Sequence, residues 1–334
     1  VDLMLHVLPA FSAETLRIDA EAETNRIVAA LRTQLRGQRK RGLVLGLSGG
    51  IDSSVSLALA VRAVGAKNVA ALYMPERDSD PESLALGRQV AGHFGVDGVV
   101  EDIGPILDAL GCYSRRDEAI RVIVPDYGVG WACKVVIGQT GEAEGFNVTS
   151  LVVQSPTGER STHRMPVDVY LGVVAATNFK QRTRKQLEYY HADRLNFAVL
   201  GTPNRLEYDQ GFFVKNGDGA ADVKPIAHLY KTQVYQLAEY LGVPENIRRR
   251  PPTTDTYSLP QSQEEFYFAL PYDRMDLCLY GLNNAIAPED VARAAGLTMP
   301  QLQQVWRDIQ SKRRGTRHLH QGPLLVEPVR EIEV

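Results

Sequence analysis

Gly42-Leu43-Val44-Leu45-Gly46-Leu47-Ser48-Gly49-Gly50-Ile51-Asp52-Ser53-Ser54 is the stretch that decides the fold. It reads as a buried strand running into a glycine turn and then a helix. Leu43, Val44, Leu45 and Leu47 form a short apolar run, as expected of a strand covered on both faces. Val55, Leu57, Ala58, Leu59, Val61 and Val64 carry the helix on. The two adjacent glycines are expected to take positive φ and let a ligand approach the backbone closely. Free N–H groups at a helix start attract an anion, most often phosphate. Ser48, Ser53 and Ser54 add hydroxyl donors, and Asp52 suits a divalent cation held against the phosphates.

No Gly-Lys-Ser or Gly-Lys-Thr occurs, so this is not a Walker loop, and the spacing is not Gly-x-Gly-x-x-Gly. A bare Ser-Gly-Gly also fits a plain strand-to-helix turn with a serine cap. The full string after an apolar strand resembles the pyrophosphate loop of the N-type ATP pyrophosphatases. That resemblance implies ATP contacts at Gly46, Leu47, Ser48, Gly49, Gly50, Ile51, Asp52, Ser53 and Ser54. It also implies cleavage of ATP between the α and β phosphates, with adenylation of a substrate.

The 334 residues, 44% apolar and 23% charged, describe an ordinary globular protein with material for a good core. A net charge of −3 supplies no global basic field for nucleic acid or a membrane surface. Cys112, Cys133 and Cys278 are widely spaced, which fits a reducing compartment and argues against a zinc ribbon or a disulfide scaffold. The first residues lack a basic-then-apolar leader pattern and no apolar run approaches a membrane span, so a cytoplasmic location is expected.

Residues 12–36 read as an amphipathic helix that Ser12 could cap, followed by a basic linker, Gln38-Arg39-Lys40-Arg41, more readily solvated than nucleic-acid-binding. After the loop helix come a strand over 68–74, a helix through Leu84–Phe94 and a strand over 99–103. That alternation predicts a doubly wound parallel sheet, whose ligands sit beyond the strand carboxyl ends. The loop at 75–79 lies at such an end. Residues 112–172 break the rhythm: Ala119–Val124, Cys133–Ile137, Val148–Val153 and Met165–Val169 read as strands of an inserted antiparallel unit. A mobile lid that only looks strand-like is the alternative. A helix over 173–190, a buried strand over 196–200, a helix over 230–241 and further helical segments follow. The whole chain, 1–334, is expected to form a single domain with 112–172 inserted.

More motifs occur in order: Asn178-x-Lys180-x-Arg182-x-Arg184, Leu200-Gly201-Thr202 with Glu207, Gly211-Phe212-Phe213-x-Lys215-x-Gly217-Asp218-Gly219-Ala220-Ala221-Asp222, Leu229-Tyr230-Lys231-Thr232, Pro252-Thr253-x-Asp255, and Tyr272 with Asp276. Together they resemble the ammonia-dependent NAD synthetase family over about two-thirds of the chain. Such enzymes attach the carboxylate of deamido-NAD to AMP, release pyrophosphate, and let ammonia displace AMP. The resemblance implies Asp52 and Glu207 as Mg2+ ligands and Arg77, Thr202, Lys231 and Thr253 as ATP contacts. It makes Asp52, Glu207 and Lys231 the catalytic set. It implies Arg182, Lys215, Asp218, Asp222, Ser311 and Lys312 as substrate contacts, and a homodimer with the substrate site at its interface. The roughly forty residues before the first strand are too few for a glutaminase domain, so free or separately delivered ammonia is implied.

Three departures from the family pattern stand out. The β-rich insertion replaces a short connection; it could reshape the carboxylate pocket, or be a surface ornament or oligomer contact. Pro252-Thr253-Thr254-Asp255-Thr256 replaces Pro-Thr-Ala-Asp-Leu, and Ala269 replaces a glycine. Ser311-Lys312 stands where a His-Lys pair is usual, with His318 and His320 close behind. These departures keep open an amide synthetase acting on another carboxylate, such as a sugar acid or natural-product intermediate. A tRNA-modifying ATP pyrophosphatase and a non-catalytic nucleotide binder are the remaining alternatives. The former lacks a basic field, and the latter would not need both Asp52 and Glu207.

Overall fold

The computed structural model describes residues 10–138, 148–252, 256–261, 267–268 and 270–331. Its centre is a four-stranded parallel sheet in the order β3-β2-β1-β7: β1 is Leu43–Gly46, β2 Val69–Tyr73, β3 Gly98–Val100 and β7 Ala198–Val199. Successive residues of β1 face opposite ways, and both faces are buried. Leu43 and Leu45 pack with α1 (Ala20–Gly37), α2 (Ile51–Val64), α3 (Pro81–His93) and α8 (Lys231–Tyr240). Val44 packs on the other face with α4 (Gly104–Ala109), α5 (Cys112–Arg121) and α6 (Val167–Leu195). Two covered faces are why these strands read as unbroken apolar runs.

The chain winds from β1 outward to β3, then returns through α6 to place β7 on the other side of β1. The order therefore reverses between β1 and β7, and the crevice beyond their carboxyl ends is where such sheets bind ligands. Asp222 closes the outer edge of β7 by accepting the Val199 N–H at 2.7 Å.

A second, antiparallel sheet β4-β5-β6 (Ala132–Gly138, Val148–Gln154, Arg160–Arg164) forms the insertion. Two of the four runs read as strands there are not strands. Ala119–Val124 is the end of α5 and the turn after it, and Met165–Val169 is the entry to α6. Ile120 with Val124, and Met165, Val169 and Val173, are buried at spacings of four, while Val122, Val167 and Leu171 between them are exposed. The period is helical; β-branched composition had suggested strands. The first helix is also interrupted. Ser12 precedes a 3-10 turn at Ala13–Leu16, and Asp19 caps α1 by accepting the Ala22 N–H at 3.0 Å.

The C-terminal part adds α9 (Glu245–Arg249), α10 (Tyr272–Asn283), α11 (Pro288–Ala295) and α12 (Met299–Thr316). Met275, Leu279, Val291, Leu302 and Ile309 form a separate core there. A bidentate bond from Arg313 to Asp209, at 2.5 and 2.8 Å, ties α12 to α7 (Arg205–Gln210). Among the described residues, no helix is long and apolar enough to cross a membrane.

Candidate active site

The loop after β1 turns at Gly49, whose φ is +76°; Gly50 is extended, so only one of the two glycines uses the left-handed region. A Cβ on Gly49 would lie 2.6 Å from Leu86 Cβ and 2.9 Å from the Gly87 nitrogen. Glycine here therefore serves close packing against α3 as well as the turn. Ser53 and Ser54 donate their hydroxyls to the Gly50 carbonyl at 3.0 and 2.7 Å, and Ser48 Oγ accepts the Gly50 N–H at 3.3 Å. The serines thus set the loop's shape. The first N–H groups of α2 have no acceptor within the helix and point beyond β1.

Three helix starts converge at this point. Asp52 lies in the first turn of α2, Glu207 in the first turn of α7, and Lys231 opens α8. Lys231 is fully buried and its ammonium bonds Asp52 Oδ2. Burial works to lower the lysine's pKa, but the carboxylates of Asp52 and Glu207 more than reverse it, so Lys231 stays charged. Burial, then the nearby Asp52 carboxylate, push Glu207 above the usual carboxylate range against the pull of Lys231. The Asp52 carboxylate thus pairs directly with the ammonium, while Glu207 beside them takes up a proton more readily than an ordinary carboxylate.

Asn204 organises the trio, and sequence reasoning assigned it no role. It is buried, and its Oδ1 caps α7 by accepting the Leu206 and Glu207 N–H groups at 2.9 and 3.2 Å. Glu207 accepts the Asn204 N–H in return at 3.0 Å, and Asn204 Nδ2 donates to Asp52 Oδ1 at 3.0 Å. The first two relations are a capping box, and Asn204-x-x-Glu207 is legible as one in the sequence. Asp276 supports Lys231 from α10 by accepting the Lys231 and Thr232 N–H groups at 3.2 and 2.7 Å. That carboxylate also offsets the lysine's unfavourable place at a helix N-terminus.

The remaining candidates fall into separate groups. Thr202 is half-buried just past β7, and Arg77 stacks over the Tyr113 ring at 3.6 Å at the carboxyl end of β2. Arg182 and Lys215 come together, with Arg182 Nε donating to the Lys215 carbonyl at 3.3 Å. Lys215 Nζ holds the tail through the carbonyls of His318 and Gln321 at 2.9 and 3.2 Å. Asp218 accepts the Val214 N–H at 2.7 Å, and burial raises its pKa. Ser311 is exposed, while Lys312 bonds Asp308 at 2.7 Å and the Tyr267 carbonyl at 2.5 Å. Asp222 occupies the sheet edge described above. Thr253, Thr254, Asp255 and Ala269 lie outside the described residues. Lys180 proves to be a buried hub: its ammonium reaches Glu76 at 3.0 Å, Asp78 at 2.8 Å and the Thr256 carbonyl at 2.9 Å.

The family model for NAD synthase matches residues 23–122 and 157–321. The NH(3)-dependent NAD(+) synthetase of Rhizobium meliloti (strain 1021) is 73% identical over 323 residues, covering 97% of this chain and 97% of that protein. The protein of that name from Thermotoga maritima is 35% identical over 266 residues, covering 79% and 89%. The chain belongs to the NAD synthase family. Among solved structures, the NH3-dependent NAD synthetase from Campylobacter jejuni has a TM-score of 0.62 at 22% identity, covering 93% of this chain and all of that one. The NMN synthetase from Francisella tularensis has a TM-score of 0.64 at 21% identity, covering 94% and 100%. These two establish the shared fold alone.

Removing Asp52 leaves the Lys231 ammonium buried without its closest partner. Asp52→Ala is expected to lower unfolding stability by about 3 kcal/mol, read by urea denaturation. A change below about 0.5 kcal/mol would show that the pair does not hold these helices together.

Proposed function

We propose that this chain makes NAD from deamido-NAD, ATP and free ammonia, as an amide-forming ligase that adenylates the substrate carboxylate. The observation that carries this reading is the meeting of Asp52, Glu207 and Lys231 beside the Ser48–Gly50 turn. It occurs in a chain 73% identical to a named ammonia-dependent NAD synthetase.

A carboxylate oxygen attacks the α phosphorus of ATP, and the bond to the β-phosphate bridging oxygen breaks to release pyrophosphate. Both reactants are anions, so charge neutralisation governs the barrier. Lys231 contributes a fixed, desolvated cation at no cost of reorganisation, because Asp52 already bonds its ammonium and Asp276 holds its main-chain N–H. The loop and first turn of α2, residues 46–54, receive the phosphates through backbone N–H groups. Thr202, Arg77 and Thr253 complete the ATP contacts. Arg182, Lys215, Asp218, Asp222, Ser311 and Lys312 serve the dinucleotide side, where an arginine fork suits phosphate or carboxylate. Ammonia then attacks the acyl carbon, the bond to AMP breaks, and nitrogen sheds a proton. No side-chain nucleophile is required, since ATP supplies the activation.

Mg2+ fits Asp52 and Glu207. They are hard donors, Glu207 being raised by burial and then by the neighbouring Asp52 charge, and two carboxylates plus substrate phosphates are a common magnesium set. Bound there, the ion supplies further neutralisation of phosphate charge.

The chain is also proposed to be a homodimer. Val122, just past α5, and Val167, Tyr170 and Leu171 in the first turns of α6 are exposed apolar side chains, and the two helices meet at Gly172 and Ala119. Sedimentation at micromolar concentration is expected to give a dimer that Leu171→Glu dissociates. A monomeric wild type would overturn the proposal.

Purified protein with ATP, Mg2+, ammonium and deamido-NAD is expected to form NAD and pyrophosphate in equal amounts. Pyrophosphate without NAD would point instead to another carboxylate.

A further inference from the structure

The insertion makes contacts that suggest its purpose. Its strand β4 presents an edge to residues 256–261. The Cys133 N–H donates to Ser258 Oγ at 2.9 Å, and the Leu259 N–H donates to the Cys133 carbonyl at 3.1 Å. Gln261 Nε2 donates to the Val135 carbonyl at 2.6 Å, and Lys134 Nζ to the Pro260 carbonyl at 3.4 Å. The segment lies along β4 like an added strand, bonded through both backbone and side chains.

Its side chains are also taken into the insertion. The Tyr257 ring is buried with Val124, Tyr127, Cys133, Val135 and Leu151, and Gln261 is buried as well. At the other end Lys180 bonds the Thr256 carbonyl while holding Glu76 and Asp78 of the loop after β2. Arg116 of α5 reaches Asp78 at 2.6 Å, and Tyr113 donates to Glu76 at 2.7 Å. Residues 256–261 are therefore fixed from two sides, by the inserted sheet and by the loop at the carboxyl end of β2.

The matched family regions include 256–261 but leave 123–156 unmatched, and β4 and β5 lie wholly within that gap. A segment common to the family is thus held here by strands outside the family pattern.

We propose that the inserted sheet is a dock for residues 256–261 and thereby, through the Thr256 carbonyl on Lys180, steadies the Glu76–Asp78 loop that presents Arg77 to ATP, with Tyr257, Ser258 and Gln261 as positioning residues. Docking is a matter of hydrogen bonds and burial within this chain; only the ATP consequence rests on the function proposed above. Each lost side-chain bond leaves a β4 backbone group, the Cys133 N–H or the Val135 carbonyl, without the partner the segment supplied, and the segment opens more often.

The test compares wild type with the double variant Ser258→Ala/Gln261→Ala, which leaves the Tyr257 ring in place, and with Tyr257→Ala. Ser258→Thr restores the hydroxyl and serves as the conservative control. Hydrogen exchange of the Leu259 amide is expected to quicken at least about tenfold in the double variant, with exchange in the parallel sheet unchanged. The KM for ATP is expected to rise about five- to twentyfold, with kcat and the KM for deamido-NAD within about twofold. Ser258→Thr is expected to behave as wild type in both. Unchanged exchange at Leu259 would overturn the dock. Faster exchange with an unchanged KM for ATP would overturn the positioning role. If wild type makes no NAD, the proposed function fails by itself. The nucleotide arm is then read as ATP affinity by calorimetry, with the same expected ratio and the same contradicting result. Should Tyr257→Ala fail to fold, the double variant decides both arms.

Discussion

The site depends on one buried ion pair, Lys231 with Asp52. It joins the start of α8 to the start of α2, and Asn204 ties both to the start of α7. A buried pair of this kind contributes little net stability compared with a well-packed apolar one. Its use lies elsewhere. It keeps an ammonium desolvated, charged and fixed at the place where the fold collects helix N-termini. In the proposed function, an incoming polyphosphate finds a cation already oriented, without waiting for a flexible side chain to order.

The sheet topology is what brings these groups together. α2 follows β1 and α7 follows β7, and β1 and β7 are neighbours only because the strand order reverses between them. The 3-2-1-7 winding therefore places two helix starts side by side, although their residues are over 150 positions apart in sequence. α8 then crosses back over the β1 face of the core and contributes Lys231. Asp276 reaches in from the C-terminal helices, so the helical part of the chain takes part in the site's geometry.

Much of this was legible in the residues. An apolar strand, Ser-Gly-Gly and a helix start can be read directly, since strand burial, positive φ and N–H donors each leave a local signature. Asp52, Glu207 and Lys231 were marked by the strings around them. Asn204 was missed because its decisive bond to Asp52 is long-range, although its capping box with Glu207 is local and readable. Ala119–Val124 misled because β-branched residues suggested strands, whereas burial there repeats every four residues. Lys180 looked like one more cation on a basic helix. Its neutralising partners, Glu76 and Asp78, come from a loop over a hundred residues away, and nothing near it in sequence announces burial.

The central claim is that the substrate carboxylate, and not water, attacks the α phosphorus beside Lys231 and Asp52. Deamido-NAD carrying 18O in both carboxylate oxygens tests it in one turnover, with AMP, pyrophosphate and NAD analysed by mass. One labelled oxygen in AMP, one left in the amide of NAD and none in pyrophosphate is the expected result. Unlabelled AMP, or ADP accompanied by labelled phosphate, would contradict it.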